Sequence, residues 1–413
     1  MSKTIISRYY NNNSSSFTLI ELLVVIAILA ILMAVVVVTI NPAEILKKTR
    51  DTKRFNDLSN LQELLQLANS EGLLTPSICD GTKIYISLPN SISLSNTNLP
   101  AGVSWQQVSE ADLRNSNGTG WIPINLSGSY TSGFSMASLP VDPQNTLNDN
   151  LYYTFYCNPQ QEYILTSYME SKTFGPKGNE TSKTNKDGGP DPYLYEVGSD
   201  LFISPLKPVA SWSFDEGAGT IANDSSGNNN NGILYGNPTW TTEGQVNKAL
   251  SFDGSNDYVD CGNDESLNLT SVGSVEVWAN IKTYSNYPGI VSKGAIGGWD
   301  TNGYGIWLWE GKVAGTITNK AENPNHITFS FGSPAINKWN HYVLVWDGSY
   351  VYGYFNGIEV FKQTQTLNVP ITSYNLELSH IASTAFNGLI DEVRIYNRAL
   401  SAEEIKRHYE MSK

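Results

Sequence analysis

The chain has 413 residues and a formal net charge of −13. That length implies two folded domains beyond any anchoring helix. The acidic balance, with no large basic surface after position 60, excludes a nucleic-acid partner. Charged residues are only 16%, while Asn, Ser, Thr, Gly and Tyr abound, a composition that suits β-rich exported proteins. No Cys-x-x-Cys occurs, and His326, His341, His380 and His408 are scattered, which argues against a metal site built on Cys or His.

A polar leader, residues 1–16, carries Lys3 and Arg8. Glu21 then stands at the edge of an unbroken apolar run from Leu22 to Val38. A carboxylate in hydrocarbon costs roughly 2.5–3.5 kcal/mol, so Glu21 asks for a cationic partner. The run is long enough for a membrane helix and too long for a secretory signal core. Helical periodicity continues through Phe55, Leu58, Leu61, Leu65 and Ala68 to a stop at Glu71-Gly72. Pro42, inside this stretch, predicts a kink or local unwinding.

The segment from Phe17 to Leu32, FTLIELLVVIAILAIL, resembles the class III signal of type IV prepilins and pseudopilins. The resemblance implies that a prepilin peptidase cuts between Ser16 and Phe17 and that the new amine is methylated. Glu21, then the fifth residue, would meet the terminal amine of a neighbouring pilin subunit during assembly. The precursor would be a single-pass protein of the inner membrane, and the mature form part of an extracellular filament or the cell surface. One residue departs from the family, which has Gly where this chain has Ser16. An uncleaved signal anchor is the plain alternative.

Residues 73–203 alternate short apolar segments with polar loops. Lys83–Leu88, Leu151–Cys157 and Glu162–Tyr168 read as strands, the last two forming a hairpin about 158–161. Leu139-Pro-Val-Asp-Pro143 before the Tyr-rich strand resembles the heads of bacterial pilin-like proteins, and a helix on a small antiparallel sheet is expected. Cys79 and Cys157 both fall in this head, and outside the cytoplasm such a pair is expected to form a disulfide. Phe174 to Pro192 is polar and reads as a surface loop or flexible tail. Pro205 and Pro208 would stiffen a linker at 204–208.

From 209 to 413 the pattern is β, with strand candidates between regular turn signals and a final short helix near 402–409. Phe355-Asn-Gly-Ile358 is a hairpin signal, since Asn-Gly adopts the positive φ of a type I′ turn. The strings at 211–217 (SWSFDEG), 224–228 (DSSGN), 248–254 (KALSFDG) and 386–401 (FNGLIDEVRIYNRALS) resemble a laminin-G-like, concanavalin A-like domain. The resemblance implies a two-sheet sandwich, or jelly roll, and a structural calcium. Its expected ligands are Asp224 and Asp391 with Asp215 or Glu216, since calcium takes hard oxygen donors. The plain alternative is that Asp224 caps a turn and Asp391 pairs with Arg394. Trp299, in a Gly-rich loop, is the tryptophan expected to be exposed and to touch a glycan or protein ligand.

The fold also hosts glycosidases, which need two facing carboxylates. The strand at 274–280 offers only Glu276, so no enzyme is expected. The reading is a filament subunit with a long N-terminal helix (17–72), an α+β head and a non-catalytic, adhesin-like sandwich, minor or near the tip. A major subunit decorated by the sandwich and a type II secretion pseudopilin are the alternatives.

Overall fold

A computed structural model describes residues 18–95, 98–128, 130, 133, 135–284, 287–294, 302–321, 326–381 and 384–413, without the side chains of 34–40 and 178–180. Ser16, Phe17 and Trp299 lie outside the described residues. The chain divides into two units, residues 1–49 and 50–413.

In the first unit, helix α1 spans Leu19–Ile40. Thr18 starts it with a capping box. Its hydroxyl accepts the Glu21 N–H at 3.3 Å, and the Glu21 carboxylate accepts the Thr18 N–H at 2.9 Å. Asn41 ends α1 in the left-handed region, with φ 45°. Pro42 then opens helix α2, Pro42–Ser70, where a missing N–H breaks no helical bond. The helix read over 17–72 is thus interrupted where a kink or local unwinding is expected, with Asn41 making the break just before Pro42. Among the described residues no helix is long and apolar enough to cross a membrane. The apolar run that suggests a span ends at Val38, and its side chains from residue 34 onward are not described.

In the second unit, α2 buries Leu58, Leu61, Leu65 and Ala68 against Trp121, Tyr153, Phe155 and Leu165. These belong to a head built on a five-stranded sheet. Its strand order is Ser104–Gln106, Lys83–Ile86, Tyr153–Cys157, Tyr163–Tyr168 and Leu194–Gly198. Only the first pair is parallel. The hairpin turns through 158–161, where the Gln161 N–H donates to the Asn158 carbonyl. Cys79 and Cys157 are disulfide-bonded, with Cα atoms 4.5 Å apart. The stretch at 174–192 is no loose tail. Ser182, Thr184 and Asp191 are buried in it, because short polar side chains and backbone groups satisfy one another.

The sandwich follows. Its first sheet runs Ile358–Thr364, Tyr350–Phe355, Trp339–Trp346, Gly273–Ile281, Asn387–Tyr396, Ala249–Asp253, Thr239–Thr241, with Ala210–Trp212 also paired to Asn387–Tyr396. Its second runs His326–Gly332, Lys312–Asn319, Asn302–Trp309, Gly289–Lys293, Leu376–Leu378, Tyr258–Asp260, Gly232–Tyr235, Ile221–Ala222. Between them lie Trp212, Phe252, Val277, Ile306, Trp346 and Ile390. Asn356 and Gly357, at φ 50° and 77°, make the turn that the Asn-Gly pair signals.

Helix α3, Ala402–Ser412, starts on a capping box between Ser401 and Glu404. Ile405 packs with Val343, Val345 and Tyr396 of the first sheet. Met411 packs with Leu151, Tyr168, Tyr193 and Leu194 of the head. One short helix thus carries an apolar contact with each domain.

Candidate functional site

Head and sandwich meet across a buried polar network. Glu276, on the strand Gly273–Ile281, reaches no solvent. It lies 2.7 Å from His341 Nε2 of the neighbouring strand and 3.1 Å from His408 Nδ1 of α3. Burial alone would raise its carboxyl, but the charge and hydrogen bonds of His408 and His341 hold it well below the usual range. Burial pushes His341 below its ordinary value. Arg394 donates to the Tyr193 hydroxyl at 3.1 Å and pairs with Glu392. Arg398 donates twice to the Leu206 carbonyl, at 3.0 and 2.9 Å, and forks onto Glu404. The segment at 204–208, read as a spacer, is thereby clamped to the sandwich. No local pattern signalled this network, since His341 and His408 stand 65 and 132 residues from Glu276.

Two further charge clusters lie in the head. Arg54, fully buried, forks onto Asp142 at 2.5 and 2.8 Å and reaches Asp51 and Glu170, both at 2.7 Å. This fastens α2 to the Leu139–Pro143 loop. Asp187, Asp191 and Glu196 gather around a tight Gly-Gly-Pro turn. Asp187 accepts the Gly189 and Glu196 N–H groups, and Glu196 accepts the Asp191 N–H. Burial pushes Asp187 up to about 7 despite those bonds, and raises Asp191 and Glu196 as well.

The carboxylates expected to hold calcium do not form one donor set. Asp224 accepts the Ser211, Ser226 and Asn230 N–H groups and the Ser226 hydroxyl, closing the 224–230 turn on itself. Glu216 accepts from Asn223, and Asp215 from Asn247 and Lys248. Asp391 is buried and accepts the Val246 N–H at 2.9 Å, while Arg394 pairs with Glu392 instead. Burial and the nearby charges of Glu392 and Asp215 raise its carboxyl well above the usual range. Among the described residues no three His, Cys, Asp or Glu gather as a metal cluster. The four residues therefore do not gather round one cation: Asp224 and Asp215 spend both oxygens on protein donors, while Glu216 and Asp391 each keep one oxygen without a protein partner.

The two sheets differ in what covers them. The first turns its outer face to α3. The second carries aromatic side chains on its outer face, by simple alternation with the core residues Tyr304, Ile306, Leu308 and Val259. Tyr235, 43% exposed, stacks on Tyr258 at 4.9 Å, and Tyr258 on His380 at 4.9 Å. On the same face Trp307, itself buried and bonded to the Thr316 hydroxyl, stacks on the half-buried Trp309 at 6.3 Å. Beside them Glu377 bonds His380 at 2.7 Å, and Asn375 bonds Asp260 at 2.9 Å. Rings flanked by carboxylates and amides can make both apolar and hydrogen-bonded contact with a ligand.

Residues 253–406 match the family model described as the concanavalin A-like lectin/glucanases superfamily, and residues 11–37 match the prokaryotic N-terminal methylation motif. No curated protein matches the chain. Among solved structures, the chain is similar to domain 4 of AbnA, an extracellular arabinanase from Geobacillus stearothermophilus, solved with arabinotriose. Identity is 20% and the TM-score 0.41, over 50% of this chain and 98% of that one. It is similar also to the binding domain of Paraclostridial Mosquitocidal Protein 1, at 16% identity and TM-score 0.41, over 49% of this chain and 51% of that one. For the binding domain of botulinum neurotoxin serotype G the values are 18% and 0.40, over 49% and 50%. The chain spans about half the length of those last two. One polypeptide thus joins the N-terminal methylation motif of prepilins to a concanavalin A-like sandwich of the laminin-G type.

Proposed function

We propose that the protein is a type IV pilus-like filament subunit that carries its sandwich as a non-catalytic recognition module. One observation carries this reading: the same chain holds the methylation motif and a sandwich with one aromatic, outward-facing sheet. The apolar run from Leu22 to Val38 holds the precursor in the membrane, and the peptidase cuts before Phe17. Glu21 then answers the methylated amine of a neighbouring subunit, since two charges taken out of water need each other. A domain this large at every position would crowd a tight filament, which favours a minor place near the tip. The aromatic sheet face meets an extracellular glycan or protein. Glu276, the carboxylate of the strand Gly273–Ile281, is fully buried.

Sheared, purified filaments test this. Mass spectrometry is expected to find a chain starting at methylated Phe17, far below the main subunit in amount, with antibody against the sandwich at filament ends. Labelling along the whole length would make it a major subunit. An unprocessed chain absent from filaments would overturn the reading.

A further inference from the structure

We propose that the cleft between head and sandwich binds one neutral sugar ring. This site is separate from the open sheet face and needs both domains. The cleft holds about 210 Å3 and is walled by Trp105, Asn150, Tyr152, Thr154 and Thr166 of the head and by Glu403 of α3. That space is below the 300–1,000 Å3 or so of drug-sized pockets, and suits a single ring.

The polar groups facing it define the ligand. Asn150 is 1% exposed, yet its Nδ2 has no partner. A buried amide donor left unmade costs about 1–3 kcal/mol, so its retention points to an acceptor supplied from outside. Asn150 is also fixed, with φ 51° and its N–H bonded to the Leu147 carbonyl. Thr154 and Thr166, both buried, lie 2.6 Å apart hydroxyl to hydroxyl. The pair owns two hydroxyl hydrogens and uses one between them, so one remains to donate. Glu403 is exposed at the start of α3 and accepts.

Charge excludes an anionic ligand, and the unpartnered Asn150 amide donor needs an acceptor that a simple cation lacks. The cationic side chain on the wall, Arg398, is already taken by Glu404 and the Leu206 carbonyl. A phosphate or carboxylate would meet Glu403, with no cation to spare among the described residues of the wall. The half-buried indole of Trp105 and the ring of Tyr152 offer apolar surface. A molecule with one apolar face and a rim of groups that both donate and accept is a pyranose.

Saturation-transfer NMR on the detergent-solubilised full chain tests this with glucose, galactose and N-acetylglucosamine. At least one sugar is expected to receive transfer and to raise the melting temperature, because it binds only the closed junction. Asn150→Gly, which suits the positive φ, and Glu403→Ala, on an exposed turn, are each expected to weaken binding about tenfold. Trp105→Ala should abolish it, and the other two variants decide the matter if that one does not fold. No transfer to folded wild type overturns the proposal. So does transfer unchanged in both polar variants, a result that would put the sugar on the outer sheet face and leave the filament reading intact.

Discussion

His408 of α3 lies flat on Tyr193 of the head, ring centroids 4.0 Å apart and planes within 7°. The same imidazole reaches Glu276 at 3.1 Å. One side chain therefore joins the sandwich core, its last helix and the head.

His408→Ala should cost about 3–5 kcal/mol, because it leaves a buried carboxylate with one partner in place of two. His408→Phe restores the stack without the hydrogen bond and should recover only part of that loss. Urea unfolding of the full chain reads both. A wild-type midpoint for His408→Ala would show that the network carries little energy.

Arg54→Ala takes the cation away from buried Asp51 and Asp142, while Glu170 keeps its two bonds from Arg50, both at 2.7 Å. Unfolding free energy should fall by about 3–5 kcal/mol. Arg54→Lys should recover part of it, since a point charge cannot reproduce the two-pronged contact with Asp142. Equal stability of the Lys and wild-type proteins would refute the role given to the fork.

Asp187 sets a pH dependence. Its folded value, about 7, lies above the ordinary carboxylate value of 3.8. Between those values the folded chain holds a proton that the unfolded chain has lost. The group therefore destabilises the fold above pH 7, and stability returns as pH falls through 7. Asp187→Asn lacks this response. The melting-temperature gap between the two proteins should shift in favour of wild type from pH 8 to pH 5, and parallel curves would rule the effect out.

Asp224→Ala should destabilise the sandwich by about 3 kcal/mol through the loss of its N–H and hydroxyl partners. Chelation of wild type should leave the melting temperature unchanged. A fall on chelation that the variant lacks would restore Asp224 as a calcium ligand.

Glu21→Ala should still insert and be processed, yet be missing from filaments. Immunoblots of membrane and sheared fractions separate these steps. Wild-type amounts in the sheared fraction would remove the assembly role and leave Glu21 with its hydrogen bonds to Thr18.

Local chemistry was legible before any coordinates. The Asn356-Gly357 turn, the hairpin about 158–161 and the apolar stripe of α2 each depend on neighbours a few residues away. What hid was assembled over distance. Lys312–Asn319 and His326–Gly332 are full strands of the second sheet that are not among the strand candidates, although Ile327, Phe329 and Phe331 alternate with Thr328 and Ser330 as in a half-buried strand. Ser104–Gln106 is too short to show alternation. Glu276, His341 and His408 look unremarkable one by one, and only the packing of α3 gives them a common purpose. Asp224 and Asp391 match a motif correctly, but a motif does not say whether a carboxylate faces an ion or an N–H.

Strand order bears on how the protein is made. Asn387–Tyr396 comes late in the chain but sits inside the first sheet, between Gly273–Ile281 and Ala249–Asp253. Until it arrives, those two strands have raw edges where the sheet's middle should be. The sandwich cannot grow outward from its first-made strands, and nonlocal closure of this kind is slow. An interrupted chain that stops before residue 387 would thus not be a smaller sandwich but an open, adhesive sheet. The whole segment through Tyr396 must therefore be available before any of the sheet is safe from aggregation.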